Sequence, residues 1–191
     1  MSKKLQKAIF LDRDGVINKE KQYVHKIEDF DFIPGVFEGL RKLKRLDYKL
    51  IIITNQAGIA KGYYKEKDLF ILHEFMLKKL KLNGVDIDSI YYCPHHPEAK
   101  IEKYRIDCDC RKPKPGLLLK AAYEKSIDLE KSIMIGDKIS DYEAGINAKL
   151  RLSLLVKSGH KIQLKYLDKL NFIFDDLLST VHFIESLEDI D

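Results

Sequence analysis

The chain of 191 residues is 45% hydrophobic and 34% charged, with ten Gly and five Pro, a composition that excludes a disordered, collagen-like or mucin-like polymer. Domains commonly run roughly 100–200 residues, and no repeat or Pro/Gly/Ser-rich linker divides the chain, so residues 1–191 are expected to form a single domain. The net charge of +4 suits anionic small molecules and falls short of a nucleic-acid footprint.

The basic start "MSKKLQKAIFLD" leads into only four apolar residues, fewer than the about 7–15 of a signal peptide. No aliphatic run reaches the roughly 18–20 residues of a membrane span. A cytoplasmic protein without a membrane partner is expected. Strands are predicted over Lys7–Asp12, Tyr48–Thr54, Ile87–Cys93, Ser132–Gly136, Leu152–Val156 and Asn171–Phe174. Helical periods fall between them, over Gly35–Leu46, Glu66–Asn83, Gly116–Ser126, Ser140–Ala148 and Asp176–Leu187. This alternation predicts an α/β fold: a Rossmann-like, mostly parallel sheet with helices on both faces. In the second helix Leu69, Leu72, Met76 and Leu80 make a core stripe, with His73 beside it as a partly buried helix histidine. Residues 13–34 and 93–115 are longer than ordinary connections, and ordered loops of that length tend to carry function.

Ligands of an open parallel sheet lie beyond the carboxyl ends of its strands. The first strand ends at Asp12 and Asp14, the second at Thr54 and Asn55, and "SIMIG" runs into Asp137, Lys138 and Asp141. Asp12 and Asp14 are two apart, so an extended backbone projects both carboxylates to one side. Held together they repel, and either a proton or a cation must join them. With Asp137 they make the hard, oxygen-rich donor set that suits Mg²⁺. A carboxylate against such a metal can attack phosphorus, while its neighbour trades protons with the leaving oxygen and then with water. Thr54 offers a hydroxyl to phosphate oxygens.

All three cysteines and two of the six histidines lie in "YYCPHHPEAKIEKYRIDCDCRKPKPG", residues 91–116. An odd cysteine count in a reducing compartment speaks against a disulfide framework. Cys93, His95, Cys108 and Cys110 supply three thiolates and an imidazole, the ligand set of a tetrahedral zinc site. Cys-x-Cys is not the redox Cys-x-x-Cys pattern, and four protein ligands leave no open position for catalysis.

The motifs "DRDGVIN" (Asp12 to Asn18), "IIITN" (Ile51 to Asn55), Lys112 in "CRKPKP" and "IGDKISD" (Ile135 to Asp141), in that order, resemble the haloacid dehalogenase superfamily of phosphatases. The resemblance implies that Asp12 is the nucleophile and Asp14 the general acid and base. It further implies that Thr54 and Lys112 bind the transferring phosphoryl group, and that Asp12, the main-chain carbonyl of Asp14, and Asp137 hold catalytic Mg²⁺. No large separate cap is expected. Within the superfamily the chain is similar to the D-glycero-D-manno-heptose 1,7-bisphosphate 7-phosphatases and to the histidinol-phosphate phosphatases. Both share a zinc loop that here runs from Cys93 to Pro113, with structural Zn²⁺; the inserted loop proper is 93–110. On this pattern His95 is the ligand and His96 its neighbour, with His96 in place of His95 as the alternative.

The segments "KEKQYVHKIEDFDFIPGVFEGL" and "TNQAGIAKGYY", with the long zinc-loop interval, resemble the heptose group more than the histidinol group. Removal of a 7-phosphate through an aspartyl-phosphate, for activated-heptose synthesis, is the function that this likeness implies, with histidinol phosphate or a broader sugar phosphate as the alternative. The second phosphate of a bisphosphate needs cations of its own: Arg111 first, then Lys21, Lys61 and Lys138. Asn55 is expected among the substrate-binding residues. Lys61 stands where the family usually has Arg, and "NAKLRLSLLV" lacks the glycine expected between helix and strand. The expected partner is a small sugar phosphate, and the expected state a monomer.

Overall fold

The computed structural model describes residues 4–163, 170 and 172–189. The strands are β1 Ala8–Leu11, β2 Lys49–Asn55, β3 Ser89–Cys93, β4 Ile133–Gly136, β5 Leu152–Val156 and β6 Ile173–Phe174. All pair in parallel, in the order β3-β2-β1-β4-β5-β6. Asn171, the expected start of the last strand, lies outside the described residues. The helices are α1 Val36–Arg45, α2 Ala57–Ala60, α3 Glu66–Leu82, α4 Gly116–Lys125, α5 Ile139–Asn147 and α6 Leu177–Glu188. The short α2 was not expected from the sequence, because four residues are too few to display a 3.6-residue period.

Alternation along each strand divides the core. Ile9 and Leu11 of β1, with Leu50, Ile52, Ile133 and Leu154, pack against Leu40 of α1, Leu72 and Met76 of α3 and Val181 of α6. Ala8, Phe10, Ile51, Ile53 and Met134 point the other way, against Leu117, Leu118 and Ala121 of α4 and Ala144 of α5. Helices on both faces follow from parallel pairing, since each crossover must return over the sheet. A Leu→Ala change at a buried position such as Leu40 costs about 2–5 kcal/mol. Between α5 and β5 no glycine is present, and Lys149 itself takes φ 58, a left-handed conformation that costs a non-glycine residue about 1 kcal/mol.

The chain builds outward from β1 to β3 and then returns to place β4 on the other side of β1. At this reversal the crossovers leave in opposite directions and open a crevice at the carboxyl ends of β1 and β4. Among the described residues the long segments 12–35 and 94–115 each hold one 3-10 turn, Ile27–Asp29 and Glu102–Tyr104. Neither builds a separate cap.

Candidate active site

Because β1 and β4 are neighbours, Asp12 and Asp137 emerge side by side, and Asp12 donates its amide N–H to the carbonyl of Ile135 at 3.0 Å. Both side chains are buried. The third carboxylate is Asp141, in the first turn of α5, whose Oδ2 accepts from the amides of Asp137 (3.2 Å) and Lys138 (2.9 Å). One carboxylate oxygen from each of Asp12, Asp137 and Asp141 lies within 4.8 Å of the others. The Lys112 ammonium stands 3.1 Å from Asp12 Oδ1 and 2.6 Å from Asp141 Oδ1, and donates to the carbonyl of Ile53 at 2.7 Å.

Burial raises the Asp12 carboxyl above the usual range, and Lys112 opposes it. Burial would strip the proton from Lys112, but Asp12 and Asp141 outweigh it and hold the ammonium charged. Asp137 Oδ1 is buried with no hydrogen-bond partner among the described residues. One ammonium among three buried carboxylates, with a carboxylate oxygen left over, fits a divalent cation with oxygen ligands such as Mg²⁺. The backbone leaves room for this crowding. Gly15 has φ +86, and a Cβ on it would fall 2.4 Å from Asp137 Oδ2. A Cβ on Gly136 would fall 2.1 Å from that of Asp141.

The Asp14 carboxylate is not part of this group. Nη2 of the fully buried Arg13 donates to both its oxygens at 2.9 Å, Asn18 Nδ2 donates at 3.0 Å and Gln56 Nε2 at 3.1 Å. Burial would raise Asp14, but Arg13 and these hydrogen bonds prevail and hold it below the usual carboxylate range. Arg13 also donates to the carbonyl of Val24 at 2.7 Å, and its Nη1 stands 3.2 Å from His73 Nε2. Burial, then Arg13, pushes His73 down to about 3. The ring is therefore neutral and accepts from the guanidinium. The helix histidine expected beside the core stripe thus supports Arg13.

A cavity of about 680 Å³ opens over these groups. Asp12, Asp14 and Lys112 line it, and so do Lys61, His96 and Arg111. Lys61 and Arg111 press on His96 and lower its proton affinity, after burial. Lys138 also lines the cavity; burial opposes its charge, but Asp12, Asp137 and Asp141 raise it above the ordinary lysine value. Thr54 is buried and is not among the residues that line the cavity; its Oγ1 accepts at 2.8 Å from Nε2 of Gln56, which does line it. Asn55 lines the wall and binds the main chain of Lys112.

Lys21, expected among the substrate cations, does not line the cavity; it pairs with Asp31 at 2.8 Å, both side chains well exposed. Glu20 and Gln22 on either side of it do face the cavity, and the backbone bends there, with Gln22 at φ 61 and Tyr23 at φ 58. Sequence reading also passed over Tyr23, Gln56, Tyr64 and His160. His160 could have been sought, because it lies in the loop that follows the carboxyl end of β5. Its amide and its Nδ1 reach Asp137 Oδ2 at 2.8 and 2.6 Å.

Cys93, His95, Cys108 and Cys110 converge, and His96 and Arg111, next to two of them in the chain, line the cavity. The sulfurs are 3.5 Å (Cys93–Cys108), 3.1 Å (Cys93–Cys110) and 3.0 Å (Cys108–Cys110) apart, and His95 Nδ1 is 3.4 Å from Cys110 Sγ. His95 joins the cluster and His96 faces the cavity. Contact with Cys93 pulls Cys110 down to about 5, while the same contact, then burial, pushes Cys93 up. Three soft sulfurs and one imidazole nitrogen so close fit a tetrahedral zinc site.

Carboxylates at the switch point of a parallel sheet, paired with a buried lysine, define a haloacid dehalogenase-like hydrolase. Residues 109–180 match the HAD-hydrolase-like family. The chain is 46% identical over 184 residues to D-glycero-beta-D-manno-heptose-1,7-bisphosphate 7-phosphatase of Haemophilus influenzae, covering 96% of this chain and 100% of that protein. It is 51% identical over 154 residues to D-glycero-alpha-D-manno-heptose-1,7-bisphosphate 7-phosphatase of Photorhabdus laumondii, covering 81% and 84%. The crystal structure of D,D-heptose 1,7-bisphosphate phosphatase from B. bronchiseptica, complexed with magnesium and phosphate, superposes with a TM-score of 0.82 at 28% identity, over 95% of this chain and 99% of that one. The chain belongs to the D-glycero-D-manno-heptose 1,7-bisphosphate 7-phosphatase family.

Proposed function

We propose that this chain hydrolyses the 7-phosphate of D-glycero-D-manno-heptose 1,7-bisphosphate, giving heptose 1-phosphate and inorganic phosphate. The observation that carries the reading is one cavity with two sets of cations. Lys112 stands beside the buried Asp12 carboxylate, and Lys61 and Arg111, with His96, line the same cavity. A substrate with two phosphates uses both sets. The names of the relatives support the same substrate, and both anomers occur among them.

In the first step an oxygen of Asp12 attacks phosphorus, the bond to the sugar oxygen breaks, and Asp14 delivers a proton to that oxygen. In the second, Asp14 takes a proton from water as the water attacks phosphorus and frees Asp12. The structure holds Asp14 ionised, the form for the second step; an arriving phosphate dianion raises its proton affinity by like-charge repulsion. Lys112 and Thr54 hold the phosphoryl oxygens, and Lys138 adds positive charge at the wall. Asp12, Asp137 and the main-chain carbonyl of Asp14 would hold Mg²⁺, which when bound neutralises charge on the phosphoryl group. Cys93, His95, Cys108 and Cys110 would hold a structural Zn²⁺.

The reading takes residues 1–191 as one domain with 93–110 inserted, working as a cytoplasmic monomer. Among the described residues no helix is long and apolar enough to cross a membrane. Phosphate release is to be compared across both anomers of heptose 1,7-bisphosphate, histidinol phosphate and fructose 1,6-bisphosphate, with and without Mg²⁺. The expected result is Mg²⁺-dependent release with a heptose preference, abolished by Asp12→Asn in a folded protein. A preference for histidinol phosphate would overturn the substrate, and turnover by Asp12→Asn would overturn the nucleophile.

A further inference from the structure

Thr54 is 1% exposed, and its hydroxyl oxygen accepts from Gln56 Nε2 at 2.8 Å. Among the described residues nothing accepts the hydroxyl proton. The polarity of this hydrogen bond is fixed by a third group. Gln56 Nε2 also reaches Asp14 Oδ2 at 3.1 Å, an oxygen that already accepts from the Arg13 guanidinium at 2.9 Å, so the nitrogen end of the amide faces Asp14 and Thr54. The oxygen end is held by the hydroxyl of Tyr64, which donates to Gln56 Oε1. Tyr64 is itself locked. A Cβ on Gly58 would fall 2.1 Å from its ring, and His25 stacks on it with centroids 4.7 Å apart and planes at 8°.

We infer that Gln56 is a positioning residue that fills the acceptor side of Thr54 and so makes its hydroxyl an obligate donor to the transferring phosphoryl group, with Tyr64 fixing the amide. The inference rests on the proposed role of Thr54 as a phosphoryl-binding residue. A free threonine hydroxyl can rotate and either donate or accept. Phosphoryl oxygens accept, so a hydroxyl already committed as an acceptor toward Gln56 presents its proton without searching.

The test is a double-mutant cycle on the full chain with Mg²⁺, reading kcat/KM for heptose 1,7-bisphosphate and for p-nitrophenyl phosphate. Thr54→Val and Gln56→Met are each expected to lower both by about tenfold, the loss of one hydrogen bond to a charged group. The two esters fall by the same factor, because the bond goes to a non-bridging oxygen that both share. The double variant is no worse than Thr54→Val alone. Tyr64→Phe, which leaves Gln56 in place, lowers both esters by about threefold, and adds nothing in the Gln56→Met background. It carries the test if Gln56→Met fails to fold by thermal melting. Losses that multiply in the double variant overturn the inference. So does a loss confined to the sugar ester, whose poor leaving group needs the Asp14 proton, for that would place Gln56 on Asp14. Unchanged kinetics in Thr54→Val would overturn the role of Thr54 and this inference with it, while an inactive Asp12→Asn would leave the hydrolytic reading standing.

Discussion

Asn55 grips the main chain of Lys112 from both sides, its Oδ1 accepting from the Lys112 amide and its Nδ2 donating to the carbonyl, each at 3.1 Å. The end of β2 is thereby tied to the segment that leaves the cysteine cluster, 57 residues on. Asn55→Ala removes both bonds and lets the ammonium drift from Asp12. It is expected to lower kcat about tenfold, with a stability loss of about 1–3 kcal/mol from the unpaired main-chain groups. Steady-state kinetics with urea melts check this; unchanged kcat would show that the grip is structural only.

The cysteine cluster positions the same segment from its other end. Cys110 is covalently followed by Arg111 and Lys112, and Arg111 Nη1 donates to the carbonyl of His95 at 3.3 Å. Cys108→Ser is expected to lower bound zinc from about one per chain and to reduce activity along with it, and a zinc chelator should act on the wild type in the same direction. Elemental analysis beside the kinetics decides. Unchanged zinc content and unchanged turnover would remove the clamp.

His73 gives a stability test with a defined sign. Its folded value of about 3 lies below the unfolded 6.5, so the unfolded state binds the extra proton. The contribution of this residue is therefore whole above about pH 6.5 and falls as the pH drops toward 3. From pH 7 to 5 the loss is about 2 kcal/mol. His73→Gln, which keeps an acceptor for Arg13, removes that part of the acid sensitivity. Urea melts of both proteins at pH 7 and 5 give the difference; equal acid losses would mean that His73 is not held neutral.

The cations expected at the second phosphate separate by placement. Lys61 and Arg111 line the cavity, and Lys21 does not. Arg111→Met is expected to raise KM for the bisphosphate about tenfold or more, and Lys61→Met less, because its side chain is also bound to the Tyr23 hydroxyl at 2.6 Å. Lys21→Met should stay within about twofold, as an exposed ion pair contributes little. A Lys21→Met effect as large as that of Arg111→Met would contradict this placement.

By itself the sequence determined the strands, the helices longer than two turns, the acidic strand ends and the residue types that could hold a metal. Each of these is local: a two-residue or 3.6-residue period, or a motif such as Asp12-Arg13-Asp14, is written in consecutive residues. Strand order followed less directly, and the chain returns to place β4 beside β1 only because both apolar faces of the sheet must be covered. Only the tertiary structure decided where the charges turned. Asp14 points to Arg13 and not to Asp12 because a fully buried guanidinium needs a carboxylate partner, and His73, 60 residues away, helps to hold that guanidinium. Asp141 joins Asp12 and Asp137 because α5 starts directly behind β4. Lys21 turned outward, and Gln56 and Tyr64 turned inward, according to which neighbours packed beside them. Side-chain direction at a site depends on contacts between distant segments, and burial settles it after the backbone pattern is already fixed.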